Sequence, residues 1–259
     1  MKTCQPRSNS SRYRKYETRT EYYVNQIVPA SSDAGTVMSE GVYTMLKDKD
    51  IREPLFFFLE EEYGKVRILE EKNIGRSRAD AVMVTDDAIF GIEIKSDADT
   101  YARLARQVRD YDSYYDKNIV VVGTSHAMHI TEHVPVHWGI ITVEEEDGAA
   151  DFYCLRRPQE NPGVSMRKKL EFLWRPELVK IQEKHEMPAY REKSRSFVVD
   201  KIATWYEEGK IDEDTLQKEI IELLFERDYN TIFEEINKYR QSRKVHKRRR
   251  RAVNKKRSR

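Results

Sequence analysis

Two cysteines are all this chain of 259 residues contains, Cys4 and Cys154. They are far apart and form no CxxC pair, which excludes a disulfide framework and a thiolate metal site and fits a reducing compartment. Ten glycines and eight prolines are too few for a collagen-like repeat, and 39% hydrophobic residues are too many for a wholly disordered chain. No window approaches the ~18 uncharged apolar residues of a membrane span. The stretch Met1 to Ser11 has no apolar run suited to a signal peptide. A soluble, cytoplasmic protein with no membrane partner is therefore expected. A P-loop is also missing, so any ATP-driven motor would have to be another protein.

Charge is plentiful, at 36% of residues, but the formal net charge of +2 conceals an asymmetry. Residues 243–259 hold 11 Lys+Arg and no acid, which leaves 36 bases and 45 acids in residues 1–242, a net of −9. Residues 1–20 carry six bases and one acid, so residues 21–242 stand at −14. An acidic body thus has two basic ends. Like charges in the tail repel and offer nothing to pack, so the tail reads as a disordered arm whose counter-ion is a phosphate backbone. A solubility tail and a nuclear-localisation signal are the competing readings.

Four regions follow from the pattern: an N-terminal extension over 1–45, a core over 46–157, a helical region over 158–242 and the basic tail over 243–259. In the core, Ile51, Leu55, Phe58, Leu59 and Glu62 lie on one helical stripe that Gly64 ends, with Pro54 expected in the first turn. Strand character follows over Lys65 to Glu71, Ala79 to Thr85, Ala88 to Lys95, Asn118 to Gly123 and Trp138 to Val143. A helix is expected from Ala98 to Asp116, capped by Ser96 or Asp97. The order αβββαβ predicts an α/β fold in which a central mixed sheet is flanked by helices. Helical segments are expected over Met166 to Lys184, Arg191 to Glu208, Asp212 to Arg227 and Tyr229 to Arg240.

Asp86-Asp87 reads as a two-residue turn between two strands. That register places Asp80 opposite Glu93 and Arg78 opposite Lys95, with Val82, Val84 and Ile89 on the same face. Two carboxylates ~5 Å apart repel by ~3 kcal/mol at an effective dielectric near 20. A divalent cation relieves that, and oxygen donors suit Mg²⁺ or Mn²⁺ better than zinc. The alternative is a structural cluster in which Arg78 and Lys95 neutralise the two acids. His126, His129, His133 and His137 suggest zinc, but Pro135 breaks the helix that the His129/His133 spacing needs, and no HExxH is present.

Asp80 followed by Glu93-Ile94-Lys95 resembles the signature of the PD-(D/E)XK, or restriction-endonuclease-like, nuclease superfamily, with Ala79 where that family often has proline. Gln107-Val108-Arg109-Asp110-Tyr111 is similar to the QxxxY motif of its RecB-type members. Arg78-Ala-Asp80, Gly91 to Asp97, Arg103 to Gln107 and Val134 to Gly139 resemble a group of small bacterial proteins of this fold. The resemblance covers about Asp50 to Val143 and implies a restriction-endonuclease-like core. It also implies an Mg²⁺- or Mn²⁺-dependent nuclease acting on DNA or RNA. Asp80, Glu93 and the backbone carbonyl of Ile94 would hold the metal, and Lys95 would orient or deprotonate water. Gln107 and Tyr111 complete the implied catalytic set. Glu62 is the candidate for an extra metal-binding carboxylate, ahead of Glu70 and Glu71. Arg78, Arg103, Arg248, Arg249, Arg250 and Arg251 are the candidate nucleic-acid contacts, and the C-terminal helices are a candidate surface for a protein partner. The competing function is a non-catalytic nucleic-acid- or protein-binding module of the same fold, within a defence, repair or mobile-element system.

Overall fold

The structure, a computed structural model, describes residues 48–97, 99–146 and 148–227. Helix α1 (Asp48–Tyr63) opens them and contains Pro54 in its interior rather than its first turn. Its stripe is as the periodicity requires, with Ile51, Leu55 and Leu59 buried and Phe58 stacked on Phe152 at 5.4 Å between ring centroids. Three strands follow, β1 (Arg67–Ile74), β2 (Ser77–Val84) and β3 (Ile89–Lys95). Helix α2 (Leu104–Tyr114) leads to β4 (Lys117–Gly123), and the short helix α3 (Thr124–Ala127) leads toward β5 (Gly139–Glu146) and β6 (Ala149–Arg156).

The six strands form one mixed sheet in the order β1-β2-β3-β4-β5-β6. The pairs β3–β4 and β4–β5 are parallel and the other three are antiparallel. The β2–β3 hairpin has the register expected from the Asp86-Asp87 turn, with Val82 opposite Gly91 and Val84 opposite Ile89. Thr85 and Ala88 close that turn through a 3.0 Å backbone bond. One face of the sheet packs Ala81, Met83, Phe90, Ile92, Ile94, Ile119, Val121, Ile141 and Val143 against α1. The other packs Val82, Val84, Ile89, Val120 and Val122 against α2 and the helices that follow β6. Strands covered on both faces read as continuous apolar runs, which is how β4 reads. The result is an α/β fold with helices on both sides of the sheet.

Three expectations need correction. Strand β6 was missed because it is an edge strand with one buried residue, Phe152, so its sequence carries no strong alternation. Helix α2 starts later than expected, after a single 3₁₀ turn over Tyr101–Arg103. Both candidate caps serve the loop instead: the Asp97 carboxylate accepts from Ser125 N at 3.2 Å, and Ser96 N donates to Asp99 at 2.9 Å. The helix expected over Met166 to Lys184 is two, α4 (Met166–Leu170) and α5 (Arg175–Lys184). Pro176 cannot continue the first, and Trp174 N donates to Glu177 to start the second. Helices α6 (Arg195–Glu207) and α7 (Glu213–Phe225) complete the helical region. The helix expected over Tyr229 to Arg240 lies outside the described residues.

Candidate active site

Asp80 sits where both neighbouring ladders lapse. Pairing of β2 with β3 stops at Ala81 opposite Ile92, and pairing with β1 passes from Glu70–Ala81 to Lys72–Ala79 without Asp80. Glu71, between those two pairs, takes a left-handed φ of +52°, a local kink across which the register of β1 and β2 is unchanged. Released from the ladder, the Asp80 carboxylate accepts from the Ile94 amide at 2.9 Å. It thus caps a donor that β3 would otherwise leave unpaired. Arg52 of α1 reaches the same residue, with Nη1 3.3 Å from the Asp80 carbonyl oxygen and Nη2 3.5 Å from Oδ1. That guanidinium also lies 3.6 Å from Glu70 Oε2.

Glu93 is 1% exposed and receives three donors. Lys95 Nζ donates to Oε1 at 2.5 Å, the Gln107 amide nitrogen donates to the same oxygen, and Tyr111 OH donates to Oε2 at 2.7 Å. The strand alternation puts Glu93 and Lys95 on the α2 face, and the four-residue spacing of Gln107 and Tyr111 aims both down at them. Burial, then the Glu93 charge, raises the Tyr111 pKa well above its ordinary value, so this hydroxyl stays a donor at any physiological pH. Gln107 Oε1 is buried and has no hydrogen-bond partner among the described residues. Such an orphaned acceptor is costly and calls for a donor from outside the chain, such as water.

Gly91 makes this approach of α2 to β3 feasible. A Cβ there would lie 2.2 Å from the Tyr115 ring and 2.6 Å from that of Tyr111. A glycine inside a strand marks close approach, so the signal was present in the sequence although its purpose was not. Arg52 was missed entirely, because a helix residue 28 positions from Asp80 leaves no local pattern.

The remaining expected residues separate into those brought to the site and those elsewhere. Arg78 does not face Lys95: it is 56% exposed and pairs with Glu71 at 3.3 Å, since the ladder has ended before it reaches that row. Arg103 is exposed in the turn before α2. Glu62 is not at the site. It pairs with Arg157 beyond the end of β6, ten residues along α1 from Arg52 and hence about 15 Å away along the helix axis. Glu70 is the acid nearer Asp80, through their shared Arg52. Of the histidines, His137 is held by Asp112 at 3.1 Å. Arg248, Arg249, Arg250 and Arg251 lie outside the described residues.

Among the described residues no group of three or more His, Cys, Asp or Glu side chains is arranged to hold a metal ion. The donor set is instead two carboxylates, Asp80 and Glu93, flanking the Ile94 backbone. Hard oxygen donors in that number suit Mg²⁺ or Mn²⁺, which retain several waters. The orphaned Gln107 oxygen beside Glu93 fits such a hydrated ion.

No curated protein and no solved structure matches the chain. The family model described as bacteriophage P4 protein cII matches residues 44–247. That span covers α1, the whole sheet, the Asp80–Glu93 site and the helical region, so the chain belongs to the bacteriophage P4 cII protein family.

Proposed function

We propose that this chain is a metal-dependent nuclease of the PD-(D/E)XK type that hydrolyses phosphodiester bonds in DNA. The observation that carries the reading is Glu93, buried and oriented by Lys95, Gln107 and Tyr111 beside Asp80 on the neighbouring strand. The order from α1 through β4 is αβββαβ, the order of that superfamily's core, which adds support.

In this reading Asp80, Glu93 and the Ile94 carbonyl would hold Mg²⁺ or Mn²⁺, which when bound lowers the pKa of its water and offsets charge on the phosphate. Tyr111 and Gln107 fix the Glu93 carboxylate from above. Lys95, on the same oxygen, is placed to hold a water and to stabilise charge developing on the phosphate. Arg103, Arg106 and Arg109 are exposed along the α2 segment and none has an ion pair among the described residues. In a body with an excess of acids, three unpaired arginines beside the site supply contacts for a phosphate backbone. The basic tail would add sequence-independent affinity.

The test is cleavage of linear, circular, nicked and single-stranded DNA by the purified protein, with and without Mg²⁺ or Mn²⁺. Glu93→Gln and Asp80→Asn serve as controls. Metal-dependent products from the wild type and none from either variant support the reading; identical products from all three overturn it. If the tail neutralises about six phosphates, log K against log[salt] on duplex DNA has a slope near −5, and removal of residues 243–259 should flatten it without abolishing single-turnover cleavage. One observation favours the second reading, a non-catalytic module: each acid already has its own cation, Arg52 for Asp80 and Lys95 for Glu93. DNA binding without cleavage under any metal condition would select it.

A further inference from the structure

The geometry points to Arg52 as a built-in counter-cation that competes with a divalent ion for Asp80 and is handed to Glu70 when that ion binds. This rests on the metal site proposed above and adds a control on its occupancy. Two carboxylates on neighbouring strands cannot both stay charged in a half-buried place without positive charge nearby. Lys95 serves Glu93. The cation serving Asp80 comes from a different layer, α1, on a side chain only 16% exposed.

The guanidinium is shared. It lies 3.5 Å from Asp80 and 3.6 Å from Glu70. Its additional bond runs to the Asp80 carbonyl oxygen at 3.3 Å rather than to the carboxylate. It can therefore give up the Asp80 carboxylate while keeping a backbone acceptor and a second acid. That arrangement stabilises the metal-free site, and any divalent ion must displace one of its contacts. Arg52 is a positioning residue in this scheme and touches no substrate.

The readout is metal affinity without DNA, from calorimetric titration of Mn²⁺ into the full chain, with circular dichroism to follow the fold. Arg52→Gln should bind Mn²⁺ roughly five- to tenfold more tightly than wild type. Glu70→Gln should bind about two- to threefold more weakly, because it removes an acid that draws Arg52 away from the Asp80 carboxylate. The Glu70 effect should vanish in the Arg52→Gln background, since it acts through the arginine. Glu70 is 56% exposed, so that variant should fold even if Arg52→Gln does not, and unchanged or tighter binding in it would overturn the proposal. So would equal or weaker binding in folded Arg52→Gln, or a Glu70 effect that persists without Arg52. Asp80→Asn separates the two levels. If it binds Mn²⁺ as wild type does, or if wild type binds none, the site itself is wrong and the role of Arg52 falls with it. If it loses binding while Arg52→Gln changes nothing, only the role of Arg52 is wrong.

Discussion

The same face of the sheet carries two buried clusters built from one set of parts, a carboxylate, a lysine and a glutamine, at opposite ends of β3. At the start of the strand, Asp116 accepts from the Ile89 amide at 2.9 Å, from Lys169 at 2.8 Å and from Gln217 at 2.8 Å. Lys169 donates in turn to the Gln217 oxygen, so the charges cancel and both functional ends of the Gln217 amide are used. At the far end, Glu93 meets Lys95 and Gln107, but the Gln107 oxygen is an orphan and a second acid, Asp80, stands on the next strand. The first cluster is closed and locks α4 and α7 onto the sheet. The second keeps an unmet acceptor and a second acid whose cation, Arg52, is shared with Glu70, which leaves room for a ligand where a structural lock leaves none.

Breaking the lock should have the largest effect. Lys169→Met leaves Asp116 charged, buried and unpaired, and should cost about 3–5 kcal/mol in urea denaturation. If Asp116→Asn combined with Lys169→Met recovers most of that loss, the cost belongs to the stranded charge rather than to lost packing. Breaking the other cluster should act on chemistry. Glu93→Gln should lower single-turnover cleavage by roughly 10²–10³ or more and stability by only about 1–3 kcal/mol. A stability loss equal to that of Lys169→Met, with cleavage retained, would make the two clusters equivalent and both structural.

Two further substitutions sharpen the contrast from the packing side. Gly91→Ala forces a methyl into the Tyr111 and Tyr115 rings and should cost about 1–3 kcal/mol. It should also lower cleavage, because Tyr111 cannot shift without releasing Glu93. Tyr111→Phe removes one donor to a charged acceptor, worth about 1.5–3 kcal/mol, and its pH dependence has a definite sign. Burial and the Glu93 charge raise the folded-state pKa of Tyr111. Its contribution is therefore complete below the ordinary tyrosine value of about 10 and is lost as pH rises beyond it. Wild type should lose stability above about pH 10 more steeply than Tyr111→Phe, in thermal melts from neutral to alkaline pH. Parallel curves would show that Tyr111 titrates normally.

Much of the Glu93 cluster was legible in one dimension because its members are close in the chain. Glu93 and Lys95 are two apart on a strand and so share a face, Gln107 and Tyr111 share a helix face through their four-residue spacing, and it was the resemblance to the QxxxY motif that joined the two pairs in one site. The opposition of Asp80 to Glu93 was read from the hairpin register. That register is right up to Ala81 and then fails: the ladder lapses and Asp80 turns to the Ile94 amide. Arg78 was placed beside Lys95 on the assumption of an unbroken ladder, and Glu62 was favoured because it alone was acidic on the buried stripe. Its position along α1 relative to the sheet could not be read from the stripe. The Asp116 lock was invisible, since its members are separated by up to 101 residues.

Composition and periodicity alone therefore determined the class of the fold, the central strands, the β2–β3 turn and the placing of Glu93 and Lys95 together on one face of β3. Those are short-range properties, set by alternation along a strand and the 3.6-residue turn of a helix. Tertiary structure decided which cation serves which acid. It set Arg52 between Asp80 and Glu70, left Glu62 to Arg157 and closed Asp116 with Lys169 and Gln217. Side chains from separate layers meet according to how α1, the sheet and the C-terminal helices pack. A charge in a half-buried place is stabilised by whatever that packing brings within a few ångströms, not by its neighbours in the chain.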